Sequence, residues 1–296
     1  MRHTLRPSII ALLAIAPATL PQPLAAQRWY EDTNVEGAET CRDIWERYGR
    51  SMSGRPRAVF CEVRDVGTTP RRERIDVDGD RHTGVHIIGS QRNDVRVRLV
   101  VQAQGEDVAD ARALASRVSI DLERAVWRAD VPDIDDTRRN GRRYVAATII
   151  VETPVESNVT ARNEHAPLKV ENVRGRLDLD GAHGPVHLSD IGGDVRARVA
   201  HGPLHVELSG RQWQGAGLDA EATHGPLILR LPRDYGAQLE LGAEHGPFDI
   251  DFPITLTRFD KSRIETKLGA GGPRIRAYAA HGPLSVRTSR TSRTSR

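Results

Sequence analysis

Six histidines recur in one local setting. The tetrapeptide His-Gly-Pro plus an apolar residue begins at His183, His201, His224, His245 and His281, and a weaker copy, His-Ala-Pro-Leu, begins at His165. The matching glycines are Gly184, Gly202, Gly225, Gly246 and Gly282. Neutral imidazole is a common transition-metal ligand, and its charge changes near neutral pH. The spacings between copies are 18, 18, 23, 21 and 36 residues, which is a unit of 18 taken plainly, then with inserts of five and three, then doubled. One unit apart, His183 and His201 are expected to stack at a corner above His165, with His187 and His205 as a second outward pair. If His183, His187, His201 and His205 share one ion, they supply the nitrogen ligands that zinc, nickel or copper accepts. The alternative is that His is a turn residue here, tolerating left-handed backbone and bonding locally.

Other chemistry is sparse. Asp178 with Asp180, and Asp249 with Asp251, point to one face by alternation, as paired carboxylates in a polysaccharide-cleaving site would. Alternating Asp on a strand also describes a plain solvated face. Neither GxSxG nor HExxH occurs, so no nucleophile or metalloprotease motif is offered. The stretch GAGGP at Gly269–Pro273 reads as a turn. Trp213 and Tyr235 lie in the longer units, where inserts make a surface irregular; they are candidates for a partner surface, or else they fill the core.

The elements that must carry these residues follow from a half-period of nine. Ala166, Gly175, Gly184, Gly193 and Gly202 fall nine residues apart. After each turn apolar residues alternate, as in Leu168 and Val170, Leu177 and Leu179, Val186 and Leu188, Leu204 and Val206. Period two is the signature of strands with one buried face. Short strands at constant register between turns predict a mainly β chain: a parallel β-solenoid, β-helix-like, with coils of about 18 residues over 157–287. Residues 27–156 lack the repeat and predict a small β-rich N-terminal cap, with strands at ERIDVDG, GVHIIG, DVRVRLVVQAQ and RYVAATIIVET and one helix from Glu106 to Leu122. Residues 129–142 read as a charged loop, and 288–296 as a low-complexity basic tail.

Residues 1–26 carry Arg2, His3 and Arg6, then the apolar run SIIALLAIA and small residues up to Ala26. That pattern is a secretory leader, and its apolar run is too short to span a bilayer. Cys41 and Cys61 then lie in an exported chain where oxidation is permitted, and they are expected to pair. Of 43 basic residues only Lys169, Lys261 and Lys267 are lysine. Without Arg2 and Arg6 the balance is 41 basic against 40 acidic, a near-neutral body that argues against nucleic acid.

At the repeats the chain resembles an exported bacterial family named "putative adhesin", whose members repeat an NGxI or NGPV turn every 18 or so residues. The likeness extends over CEVR at Cys61, VQAQGEDVADARALA, HVELSGRQWQGAGLDAEATHGPL, LPRDYGAQLELGAEHGPFDIDFPITL and GAGGPRIRAYAAHGPLSV. The departure is His where the family has Asn. The resemblance implies a β-helix-like fold and no known reaction. The expectation is therefore a non-enzymatic envelope protein, periplasmic or surface-exposed, that binds a protein or polysaccharide ligand or acts as a scaffold, with no transmembrane segment in the mature chain and no cofactor. A periplasmic scaffold binding transition metal through the histidines is the alternative, and a polysaccharide-active enzyme the third.

Overall fold

The computed structural model describes residue 41 and residues 58–134, 143–251, 258–260 and 262–289. The leader, most of the segment up to residue 57, part of the charged loop and the tail from residue 290 lie outside the described residues. The first half of the chain forms β1 (Ala58–Pro70), β2 (Arg74–Gly79), β3 (Thr83–Ser90), β4 (Asp94–Gly105), α1 (Val108–Ala115), β5 (Ser119–Ile120), β6 (Val126–Trp127), β7 (Ala129–Asp130) and β8 (Tyr144–Pro154). The second half forms β9 (Asn158–Asn163), β10 (Leu168–Glu171), β11 (Arg174–Gly181), β12 (Val186–Ser189), β13 (Gly192–Val199), β14 (Leu204–Glu207), β15 (Gly217–Ala222) and β16 (Leu227–Leu231). It continues with β17 (Ala237–Ala243), β18 (Phe248–Asp251), β19 (Arg258–Asp260), β20 (Arg263–Leu268), β21 (Arg274–Ala279) and β22 (Leu284–Thr288).

The chain is mainly β, in two ten-stranded mixed sheets and a two-stranded pair. One large sheet runs β1-β4-β8-β3-β10-β12-β14-β16-β22-β18, the other β19-β20-β17-β21-β15-β13-β11-β9-β2-β6. Interior pairs are parallel and antiparallel pairing is confined to the ends: β1, β4 and β8 in the first sheet, β17, β20 and β19 in the second. The 18-residue unit is the register itself, since Leu168 pairs with Val186, Val186 with Leu204, and Leu177 with Val195. Alternating apolar residues of both sheets then meet in one continuous core. Val85, Leu168, Val186, Leu204, Leu227 and Leu284 form one buried row, and Ile75, Val159, Leu177, Val195, Leu218 and Ile275 the facing one.

The last repeat does not stack last. β21 sits between β15 and β17, and β22 between β16 and β18, so the final unit inserts inside the array while β20 folds back antiparallel on β17. The strands before residue 157 continue the same two sheets, since β2 pairs with β9 and β3 with β10. The helix is shorter than expected: Asp107 caps it by accepting from the backbone N–H of Asp110, and after Ser116 the chain leaves for β5. The long edge strand β1 had no counterpart among the expected strands. The four strands expected in this half are present as β2, β3, β4 and β8. The expected disulfide is formed, with Cys41 and Cys61 Cα atoms 5.6 Å apart. It closes a small second cluster, Cys41, Cys61, Val100 and Ile150, on the opposite face of the first sheet from the main core.

Candidate functional site

The turn histidines form one exposed edge. In five of the six the backbone N–H donates to the carbonyl just before the histidine of the neighbouring repeat: His183 to Glu164, His201 to Ala182, His224 to Ala200, His281 to Thr223 and His245 to Ala280, all at 2.7–2.9 Å. These bonds lock adjacent corners at strand spacing. The rings consequently stack, with centroids at 4.8 Å for His165–His183, 5.0 Å for His183–His201, 4.6 Å for His201–His224, and 4.8 Å for both His224–His281 and His281–His245. Ring planes deviate from parallel by 10° to 23°. The row is about 24 Å long, five strand spacings, and all six histidines are exposed.

The turns owe their glycines to crowding. A Cβ on Gly202 would lie 2.4 Å from the Gly184 carbonyl oxygen, and one on Gly282 would lie 2.0 Å from that of Gly225. The left-handed alternative for these histidines is corrected: among the described residues the only non-glycine positions with positive φ are Asn172 and Asp190, in the loops between β10 and β11 and between β12 and β13. One further histidine, not apparent from the repeat motif, shares the corner register. His82 stands three residues before Val85, as His165 stands three before its partner Leu168, but its ring meets the edge of Tyr144 at 6.1 Å. Its own tripeptide is His-Thr-Gly, so only strand register exposes the kinship.

His187 and His205 pair edge-to-face at 4.7 Å on the outer face of the first sheet. Burial is the first cause that holds both imidazoles below their ordinary pKa; Lys169 adds to it at His187, and His187 and Arg230 add to it at His205. The four-ligand set is corrected by geometry. His183 stands in the bend at 182–184 and stacks on His201, whereas His187 lies on β12 and meets His205, so the two form separate ring pairs. Among the described residues no three or more His, Cys, Asp or Glu side chains are already convergent as a metal centre.

The outer face of the second sheet is a charge lattice. Register aligns Asp178, Arg196, Asp219 and Arg276 in one row and Arg162, Asp180, Arg198 and Glu221 in the next. Arg198 reaches Asp180 at 3.3 Å and Asp178 at 3.6 Å, and Arg276 reaches Asp219 at 2.5 Å. A shallow depression lies beside Gly217, where a row of Arg176, Asp194 and Arg274 lacks a side chain. Asp249 and Asp251 both face Arg287. The carboxylate pairs thus sit among arginines.

Trp213 and Tyr235 are each only 2% exposed, which corrects their candidacy as a partner surface. Trp213 Nε1 donates to the Gly193 carbonyl at 3.0 Å, and burial raises the Tyr235 hydroxyl above its usual range. Both rings turn inward from exposed flanking residues, 209–212, 214–216 and 233–234, because a large ring gains more by joining the core than by facing water.

Among the described residues no helix is long and apolar enough to cross a membrane, a statement that does not touch β-barrels. No family model and no curated protein matches the chain. Solved structures similar to it include a "putative cell adhesion protein" from Clostridium sporogenes, 9% identical, covering 78% of this chain and 100% of that one with a TM-score of 0.42. A "putative adhesin" from Bacteroides fragilis is 10% identical, covering 77% of this chain and 97% of its own, with a TM-score of 0.30. A "putative lipid binding protein" from Parabacteroides distasonis is 11% identical, covering 78% and 97%, with a TM-score of 0.33.

Proposed function

We propose that this chain is a non-catalytic, exported binding or scaffolding module of the cell envelope, built as a β-solenoid of about 18-residue coils. The observation that carries the reading is register: parallel pairing, offset by 18 residues through β10, β12 and β14 and through β9, β11 and β13, sets equivalent side chains in straight rows along both sheets and along the histidine corner. A rigid row repeating at strand spacing suits a long ligand, a polysaccharide or an extended protein surface, better than a small molecule. The leader-like residues 1–26 and the Cys41–Cys61 disulfide support an oxidising compartment outside the cytoplasm.

Protease treatment of intact cells expressing the tagged chain, compared with cells whose outer membrane is permeabilised, tests the location. Cleavage on intact cells is the outcome for a surface-exposed binder, and purified chain is then expected to bind whole cells or a polysaccharide array saturably. Cleavage only after permeabilisation assigns a periplasmic scaffold. Resistance in both, with the chain in the cytoplasmic fraction, overturns export.

A further inference from the structure

Two depressions lie on the outer face of the second sheet, each beside an outward position that has no side chain. On β15, Gly217 interrupts the row Arg176, Asp194, Gly217, Arg274, and a Cβ there would lie 2.5 Å from the Arg274 carbonyl oxygen. On β17, Gly242 faces Tyr278, and a Cβ there would lie 2.5 Å from the ring carbon Cδ2. Each depression opens about 230 Å³, and Arg274 lines both. That volume is below the roughly 300 Å³ at which sites for drug-sized ligands begin, so each suits one small polar ring. β21 runs between them, with Arg274 opposite Gly217 and Tyr278 opposite Gly242. Four residues along β21 and two strand spacings set the glycines about 16 Å apart, a span for a polymer and not for a monomer.

Charge narrows the class of ligand. Arg176, Arg196 and Arg274 line the first depression together with Asp178, Asp194 and Asp219. Arg198 holds Asp178, Arg276 holds Asp219 and Glu240 holds Arg274. Among the described residues Arg176, Arg196 and Asp194 enter no ion pair, and all three are exposed. The two free guanidiniums offer planar forks to a carboxylate, and the free Asp194 carboxylate accepts from hydroxyls. A densely charged polyanion would meet Asp194 with like charge, and a neutral glycan would leave both guanidiniums unmatched. An acidic peptide would find no apolar anchor, because Leu177, Val195 and Leu218 are buried in the core. Building on the binding role proposed above, we infer that this face binds a linear uronate glycan, whose rings carry both a carboxylate and free hydroxyls. One ring sits at Gly217 and another at Gly242, with Arg274 between them. Arg263 and Arg276 supply the cations of the second seat, and Tyr278 its ring.

The test is isothermal titration of the purified full chain with oligogalacturonate and with oligomannuronate. Methyl-esterified oligogalacturonate, monomeric galacturonate and polyglutamate serve as comparisons. Saturable binding of at least one uronate oligomer is expected, with the ester, the monomer and polyglutamate weaker by at least about tenfold. R176Q/R196Q and, separately, R274Q are each expected to weaken the oligomer by at least about tenfold, because each removes charge-assisted hydrogen bonds. R230Q, on the first sheet, is expected to leave it unchanged. All four arginines are exposed or half-buried, and unchanged circular dichroism checks that the variants fold. No binding of either uronate oligomer, equal binding of the ester, the monomer or polyglutamate, full binding by R176Q/R196Q or by R274Q, or equal loss in R230Q would each overturn the site. If both oligomers fail while the chain still binds whole cells or a polysaccharide array, the proposed function stands without this site. If those surfaces fail as well, both readings fall.

Discussion

Gly202 shows how one atom sets the corner. Its missing Cβ leaves room for the Gly184 carbonyl of the neighbouring repeat, and the same approach recurs at Gly225, Gly246 and Gly282. Ala at position 202 must displace a backbone carbonyl and not a flexible side chain, so G202A is expected to destabilise by about 1–3 kcal/mol in urea unfolding. An unchanged midpoint would mean that the corners slide freely. A second residue-scale prediction concerns pH. The folded-state pKa values of His187 and His205 are depressed, chiefly by burial, so the unfolded chain takes up protons first as pH falls. Their contribution is present above about pH 6.5 and is lost as pH drops through the lower folded values. The double variant H187Q/H205Q is therefore expected to lose less stability between pH 7.5 and 5.5 than the wild type, measured by thermal unfolding at both pH values. The turns and the alternation around both histidines were legible in sequence, since each depends only on neighbours one or two residues away. The edge-to-face ring geometry was not, because it depends on how far two strands bury their outward side chains.

At the scale of elements, the informative departure is the place of β21 and β22. A repeated turn states that a unit can stack, and it does not state on which neighbour. The 36-residue spacing before His281 reads equally well as two units in line or as an excursion and return. Ile275 and Ala277 meet Leu218 and Ala220 on one side and Leu239 and Leu241 on the other, so the returning unit fills an interior slot. Removing residues 273–296 therefore deletes an interior layer, leaving β17 with β20 alone and β18 without its partner β22. The deletion is expected to abolish cooperative unfolding by circular dichroism, and a truncated chain that melts in a single transition near the wild-type temperature would contradict the insertion. β1 escaped notice for a related reason. Its burial pattern is irregular and its register shifts between Asp65 and Gly67, so no sustained alternation marks it, and only the β4 partner reveals the strand.

For the whole molecule, the disulfide ties Cys41 to Cys61 on β1. The sequence separation of 20 residues predicts a contribution of about 3 kcal/mol through the unfolded chain. C41S/C61S is expected to lower stability by that amount in chemical denaturation and to leave the parallel array intact by circular dichroism, because Cys61 lies outside the main core. Loss of the β signal instead would show that this segment nucleates the array. By itself the amino-acid order determined the β class, the 18-residue unit, the inward rows and the cysteine pairing, since each is written in local alternation, turn chemistry or a lone pair of cysteines. Tertiary structure alone decided the order of the last coils, the burial of Trp213 and Tyr235, the separation of the two histidine pairs and the membership of His82 in the corner register. Those outcomes depend on which strands hydrogen-bond to which, and a parallel ladder accepts any strand with matching alternation, so the choice is made by packing among residues far apart in the chain.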